Sequence, residues 1–171
     1  MTGRLPGIEV ARVSVENVTE VDKPYTTRYH MKVPGYAQRT GSRLFIQPAV
    51  FQKGIQPEFS ASQRNYPIVF EYGWKDVDQV RITLPPGFDL ESAAMPAVAS
   101  FGKIAGHAMK LVRTPDGTAI ELTREFYFGA EGVLRFPAST YIAMKAFFDE
   151  VSKADAHTIA LRKAAGGSGP R

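Results

Sequence analysis

The stretch Arg64–Leu90, "RNYPIVFEYGWKDVDQVRITLPPGFDL", contains the only tryptophan of the chain, Trp74. Aromatic or aliphatic side chains occupy every second position from Tyr66 to Trp74, and a second alternating run ends at the Pro-Pro-Gly sequence of 85–87. A period of two is typical of strands with one buried face. The stretch therefore predicts two strands, with the side chains of the alternating face from Tyr66 to Tyr72 in the core.

Strand alternation continues on both sides of this stretch. Upstream, Tyr25–Val33 alternates cleanly, and the run before it, "IEVARVSVENV", keeps its apolar side chains on one face if a bulge lies near 11–12. Downstream, the Pro-Asp-Gly sequence at 115–117 supplies turn residues between two alternating runs, which predicts a β-hairpin. On the outgoing strand Arg124 interrupts the apolar face, so either the register breaks there or the arginine stem lies across the core edge.

Helical periodicity is clearest in "PASTYIAMKAFFDEVSKAD". Its apolar side chains recur at the spacing of one helix face, and a proline and a serine suit its start. The residues of this stripe are Tyr141, Met144, Phe147, Phe148 and Val151. The pattern predicts one amphipathic C-terminal helix at about 138–152, followed by a last strand at 157–162. The predicted fold class is mainly β, an antiparallel β-sandwich with this helix packed at an end or face.

Length and composition favour one folded domain. The chain has 171 residues, of which 44% are hydrophobic and 22% charged, a composition typical of globular proteins. We predict a single β-sandwich-like domain over 1–163, in which 1–7 are flexible. The small-residue sequence "AAGGSGPR" predicts a disordered tail over 164–171.

Several kinds of chemistry find no support in the sequence. Cysteine is absent, which excludes thiolate catalysis and cysteine-ligated metal in this chain. The net charge is +4, but Lys and Arg alternate with apolar residues, and no apolar run reaches the ~20 residues of a membrane span. We therefore predict no nucleic-acid partner, no direct membrane insertion, no cofactor and no metal.

Histidines and turn carboxylates are the residue types that could act as catalytic groups or metal ligands in this sequence. His30, His107 and His157 have no acidic or histidine partner at ligand spacing, so each is interpreted as a surface or strand-face residue. No sequence motif of a catalytic serine is present either. The acidic residues at the two turns near 76–78 and 89–91 match no calcium-binding loop and are interpreted as solvated. No catalytic residue is predicted.

Aromatic side chains form the remaining candidate site. Binding modules of the β-sandwich class display Trp and Tyr to stack on sugars or peptides. Trp74 lies at a predicted strand end beside Gly73, and Tyr36 lies in a predicted loop. Both are candidate binding residues, and for Trp74 burial in the core stays an open alternative.

Three segments, in this order, resemble the C-terminal β domain of bacterial transglutaminase-like proteins. The matching features are Arg-x-Tyr-Pro-Ile, a strand ending in Leu-Pro-x-Gly-Phe, Ser-Phe-Gly followed by a hairpin, and a helix of the form Tyr-x-x-x-Lys-x-Phe-Phe-Asp. The likeness covers about 25–161, most specifically 64–161. The segments are "RNYPIVFEYGWKDVDQVRITLPPGFDLE", "SFGKIAGHAMKLVRTPDGTAIELTREFYF" and "FPASTYIAMKAFFDEVSKADAHTIAL".

The resemblance implies an accessory role. In that family an N-terminal β domain of unknown function precedes a cysteine-protease-like core, which holds the catalytic Cys, His and Asp. No catalytic residue can be transferred to this chain, so the implied function is a non-catalytic module that supports or covers an upstream transglutaminase-like domain of the same polypeptide. The resemblance also implies that Met1 is a domain start and that the protein is periplasmic or extracellular. The alternative is a stand-alone module that binds carbohydrate or extended peptide.

Overall fold

The computed structural model describes residues 5–92 and 94–164, and the chain divides into two compact units, Met1–Tyr36 and Ala37–Arg171. The single domain predicted for 1–163 stays a prediction. Of the tail predicted for 164–171, all but Ala164 lies outside the described residues, as do the first four residues of the segment predicted to be flexible. No helix in the described ranges is long and apolar enough to cross a membrane.

The first unit contains one antiparallel hairpin, formed by β1 (Glu9–Glu16) and β2 (Thr26–Lys32). The register shifts between Val10 and Arg12, which confirms the predicted bulge. Because of this extra residue, valines on either side of the bulge reach the same face of the hairpin. We call this surface the hairpin apolar face; its residues are Val10, Val13, Val15, Tyr29 and Met31.

The second unit is built from short and long antiparallel strands around one helix. Its longest strands pair in a four-stranded sheet of order β6-β10-β9-β8, and a second four-stranded sheet has the order β3-β4-β12-β7. A two-stranded ladder joins β11 to β5. The elements are β3 (Gln38–Thr40), β4 (Arg43–Ile46), β5 (Ile68–Val69), β6 (Trp74–Thr83), β7 (Phe88–Leu90), β8 (Ala99–Phe101), β9 (Ala105–Arg113), β10 (Ala119–Phe128), β11 (Arg135–Phe136), α1 (Tyr141–Asp155) and β12 (Ile159–Lys163).

Strand β10 is central because it pairs with β6 on one side and β9 on the other. Its even-numbered positions are buried and most odd-numbered ones exposed, as the period of two predicts. The 115–117 turn joins β9 to β10, which confirms the predicted hairpin, and the pairing continues without a break through Arg124. The sheet thus keeps one register, with a buried arginine in its apolar face.

Helix α1 covers part of that face. All five residues of the predicted stripe are buried, and Phe126 and Phe128 of β10 pack in the same core cluster. The 3-10 turn Ala138–Thr140 directly precedes the helix, so the predicted start at 138 corresponds to this turn. The predicted fold class is confirmed: the described chain is mainly antiparallel β, with one C-terminal helix followed by a last strand.

The alternating face of the opening stretch does not form one strand. Only Ile68–Val69 is extended in a ladder before β6 begins at Trp74. Ile68 is buried and Phe70 packs against the core, but Tyr66 and Tyr72 are 78% and 67% exposed. The predicted core positions of these two tyrosines are wrong. A Cβ at Gly73 would lie 2.9 Å from the backbone oxygen of Phe128, so only glycine fits this close approach to β10.

Candidate functional site

Buried charges gather where β6, β9 and β10 meet the C-terminal end of α1. Arg124 Nε donates to Asp155 Oδ1 at 2.6 Å and its Nη2 donates to Asp155 Oδ2 at 2.8 Å, a bidentate pair. His107 Nε2 donates to Asp155 Oδ1 at 3.0 Å, and Arg124 Nη1 donates to Asp78 Oδ2 at 3.4 Å. We call these four residues, His107, Arg124, Asp155 and Asp78, the buried ion cluster.

Two glutamines extend the buried ion cluster. Gln52 Nε2 donates to Asp78 Oδ2 at 2.8 Å, and Gln47 Nε2 donates to the backbone oxygen of Asp155 at 2.8 Å. Both glutamines belong to the segment after β4, so side-chain hydrogen bonds join that segment to β6 and to the end of the helix. Together with the buried ion cluster, these bonds connect five parts of the second unit: the segment after β4, the strands β6, β9 and β10, and the end of α1.

The surroundings of Asp155 act on its pKa in opposite directions. Burial raises the pKa, because it disfavours the charged carboxylate, whereas hydrogen bonds from His107 and Arg124 and the charge of Arg124 lower it. The hydrogen bonds and charges outweigh burial, and the pKa of Asp155 lies below its usual range. Asp155 is thus ionised at neutral pH and compensates the arginine.

The buried ion cluster resembles an acid-base dyad in composition but not in access. The side chain of His107 is 1% exposed, and its Nδ1 has no hydrogen-bond partner in the described part of the chain. A catalytic histidine must reach the proton that it transfers, directly or through one water. The geometry supports a structural role, in which His107 and Arg124 fix the end of the helix on the sheet.

Sequence reasoning missed this cluster. His107 lies on a strand as interpreted, but it is buried and has an acidic partner 48 residues away. One signal was present: an arginine inside an otherwise apolar strand face requires a buried counter-charge. That signal predicts a carboxylate partner without saying which one.

A second site is open to solvent. A groove of about 580 Å³ runs beside the start of β6. Aromatic rings and carboxylates line it together. We call it the aromatic groove; its residues are Glu58, Val69, Phe70, Glu71, Tyr72, Trp74 and Asp76.

Trp74 belongs to both the core and the aromatic groove. Its ring lies 5.1 Å from that of Phe128 and 5.7 Å from that of Phe126, centroid to centroid. On the other side the exposed ring of Tyr72 meets it edge to face at 6.3 Å. Trp74 is half-buried, so neither of the two alternatives for this residue is complete: the core holds the ring and the groove exposes part of it.

Asp76 lies at the wall of the aromatic groove. Partial desolvation raises the pKa of its carboxyl, while the charge of Arg124 acts in the opposite direction and Asp78 adds to the rise. A side-chain hydrogen bond with Trp74 also lowers the pKa, by less than the charge of Arg124 does. Strand β6 therefore presents a ring and a carboxylate on one face of the groove.

The other candidate residues are not among the described residues that line the aromatic groove. Tyr36 is in the first unit and is half-buried, and burial raises the pKa of its hydroxyl to about 12. It does not belong to the set that lines the aromatic groove. His30 is exposed on β2, and His157 Nε2 donates to the backbone oxygen of Ala94 at 3.0 Å. Within residues 5–92 and 94–164, no group of His, Asp and Glu is arranged to hold a metal ion.

Comparison with known protein families gives one match. Residues 42–161 match the model of a family described as a domain of unknown function with a solved structure. The matched range contains both the buried ion cluster and the aromatic groove. No curated protein and no solved structure matches the chain.

Proposed function

The chain belongs to the DUF3858 family, a domain of unknown function, and we propose that it is a non-catalytic accessory module of a larger transglutaminase-like protein. In this proposal it supports or covers the catalytic domain, which precedes it in the same polypeptide. The resemblance of its segments to the C-terminal β domain of such proteins supports the proposal. By the same resemblance the protein acts in the periplasm or outside the cell.

The hairpin apolar face is the observation that carries the proposal. Val10, Val13 and Val15 are 43%, 51% and 44% exposed, on one face of a two-stranded hairpin. A two-stranded hairpin is by itself marginally stable in water, and an exposed apolar face is typical of a contact surface. The opposite face carries Arg12, Ser14 and Arg28, which suit solvent. We propose that the upstream domain packs on the apolar side.

The test is hydrogen exchange of the β1 and β2 amides, measured in this chain and in the full native polypeptide. We expect exchange to be at least about tenfold slower in the full polypeptide, because packing on the hairpin apolar face suppresses local opening. Val13→Glu should abolish that protection. Ser14→Glu, on the opposite face of the same strand, should preserve it.

Two results would contradict the proposal. A native reading frame without a Cys/His/Asp domain ahead of this chain removes the proposed partner. Equal exchange rates in the two proteins remove the proposed contact, even if such a domain exists.

The aromatic groove favours a second function, a stand-alone module that binds carbohydrate or extended peptide. Its volume of about 580 Å³ lies within the range of ligand sites, and Tyr72 exposes two thirds of its surface. Trp74 is the only tryptophan, so its fluorescence reports on this groove. Emission that neither glycans, peptides nor a quencher alter would exclude this function.

A further inference from the structure

We infer that the aromatic groove binds an extended peptide through a lysine or arginine side chain. This inference rests on the second function proposed above and names its ligand. It follows from three features: the charge of the groove, the exposed tyrosine ring and the free edge of β6.

The charge of the aromatic groove selects a cation. Of the seven described residues that line it, three are carboxylates, Glu58, Glu71 and Asp76, and none is Lys or Arg. None of the three forms an ion pair with another described residue, whereas Asp78 and Asp155 nearby are both paired with Arg124. A cationic side chain of a ligand would be the counter-charge for the groove carboxylates, as Arg124 is for Asp78 and Asp155.

The exposed ring of Tyr72 adds a contact that suits a cation. Tyr72 is 67% exposed and is fixed edge to face against Trp74, which is held by the core. Ammonium and guanidinium groups bind over aromatic faces, with about 0.5–1 kcal/mol at exposed sites. A ring with carboxylates beside it favours the cation over a neutral sugar.

The edge of β6 favours a peptide over a free amine. In the sheet order β6-β10-β9-β8, β6 is the terminal strand, and no other described strand pairs with its outer edge. An extended peptide can add to such an edge through backbone hydrogen bonds while alternate side chains enter neighbouring pockets. Trp74 and Asp76, two residues apart, lie on the face that such side chains would reach.

The experiment is a titration of Trp74 fluorescence in the full chain with alternating peptides of about eight residues, the length of an ordinary strand. The Thr-Lys peptide should change the emission and saturate, whereas the Thr-Glu and Thr-Gln peptides should not. Tyr72→Ala and Glu71→Gln should each weaken binding about two- to fivefold. The matched controls Tyr66→Ala and Glu150→Gln remove an exposed tyrosine and an exposed carboxylate outside the groove, and they should leave the affinity for the peptide unchanged.

Each other outcome overturns a defined part of the inference. Equal binding of the Thr-Gln peptide removes the selection of a cation and leaves the binding function standing. If none of the peptides binds and glycans also give no response, both the selection of a cation and the binding function are wrong. If tetramethylammonium chloride alone binds as tightly as the Thr-Lys peptide, the pairing with β6 is wrong. An effect of Tyr66→Ala equal to that of Tyr72→Ala places the site elsewhere.

Discussion

Asp78 and Asp76 are two residues apart on the same face of β6, and the charge of Arg124 acts on both, but of the two only Asp78 forms an ion pair with it. Asp78 accepts hydrogen bonds from Arg124 and Gln52, as part of the buried ion cluster. Asp76 lies in the open aromatic groove, without an ion-pair partner among the described residues, and its pKa is raised. One strand thus contributes a paired carboxylate to a buried network and, two residues earlier, an unpaired one to the wall of an open groove, among the described residues.

The largest expected effect comes from breaking the buried ion cluster. Asp155→Ala removes the carboxylate that compensates Arg124 and His107, and a buried charge left without its partner costs about 3–5 kcal/mol. We expect this loss in the free energy of unfolding, measured by urea denaturation. The control is Asp149→Ala, on the exposed side of the same helix in an i,i+4 pair with Lys145. It should cost about 0.3–0.5 kcal/mol.

Replacing the pair rather than breaking it sharpens this prediction. The double variant Arg124→Met with Asp155→Leu removes both charges and should lose less stability than Asp155→Ala alone. If the single and double variants lose the same amount, packing rather than uncompensated charge explains the effect.

On the groove side, Trp74→Ala should reduce stability by about 2–3 kcal/mol. A fully buried tryptophan costs about 3–5 kcal/mol on truncation, and Trp74 is only half-buried. Its contacts with Phe126 and Phe128 are nevertheless lost. The measurement is urea denaturation followed by far-UV circular dichroism, because the variant has no tryptophan. A change below about 0.5 kcal/mol would show that the core does not depend on this ring.

The pH dependence of the free energy of unfolding reports on two carboxylates whose pKa is lowered in the folded protein, Asp155 and Asp116. The pKa of Asp155 is lower in the folded than in the unfolded protein, so its contribution is present above about pH 4 and is lost as the pH falls through the folded pKa. Hydrogen bonds from Thr114 and Thr118 lower the pKa of Asp116 to about 2, in the same acid range. Asp155→Asn and Asp116→Asn should each reduce the loss of folding stability that accompanies acidification, as measured by thermal melts between about pH 2 and 6. Unchanged pH profiles would contradict these assignments.

The smallest effect belongs to the exposed ring of the groove. Tyr72→Ala should change the free energy of unfolding by less than about 0.5 kcal/mol, because most of its surface is already in water. Tyr72→Ala should thus weaken binding with little loss of stability, whereas Trp74→Ala should reduce stability. A loss above about 1 kcal/mol would make Tyr72 part of the core instead.

The sequence predicts what local periodicity controls. The helix stripe, the hairpin at 115–117 and the bulge near 11–12 each follow from spacing within a few residues, and each is confirmed. The strand predicted through Tyr66 and Tyr72 is wrong: only Ile68–Val69 pairs in a ladder before β6 begins. Gly73 lies against the backbone of Phe128, more than 50 residues away in the chain, and no local spacing predicts that contact. The same alternating pattern therefore leads to burial at Phe70 and to exposure at Tyr72.

Neither site could be assembled from spacing alone. The partners in the buried ion cluster are 31, 46 and 48 residues apart, and the aromatic groove brings Glu58 next to Asp76 across an irregular segment. The residue types were visible: an arginine in an apolar face, and aromatic residues followed by acidic ones. Only the topology shows that the charges of the buried ion cluster pair with one another, whereas the aromatic groove is open to solvent.

The distances along the chain within the buried ion cluster also bear on folding kinetics. Arg124 meets Asp155 and Asp78 only after loops of 31 and 46 residues have closed, when β6 has paired with β10 and the helix has docked. Closing such loops costs entropy before the contacts repay it, and a high share of distant contacts slows folding. We therefore expect the charges of the buried ion cluster to meet their partners only after these elements have docked, and to stay hydrated until then.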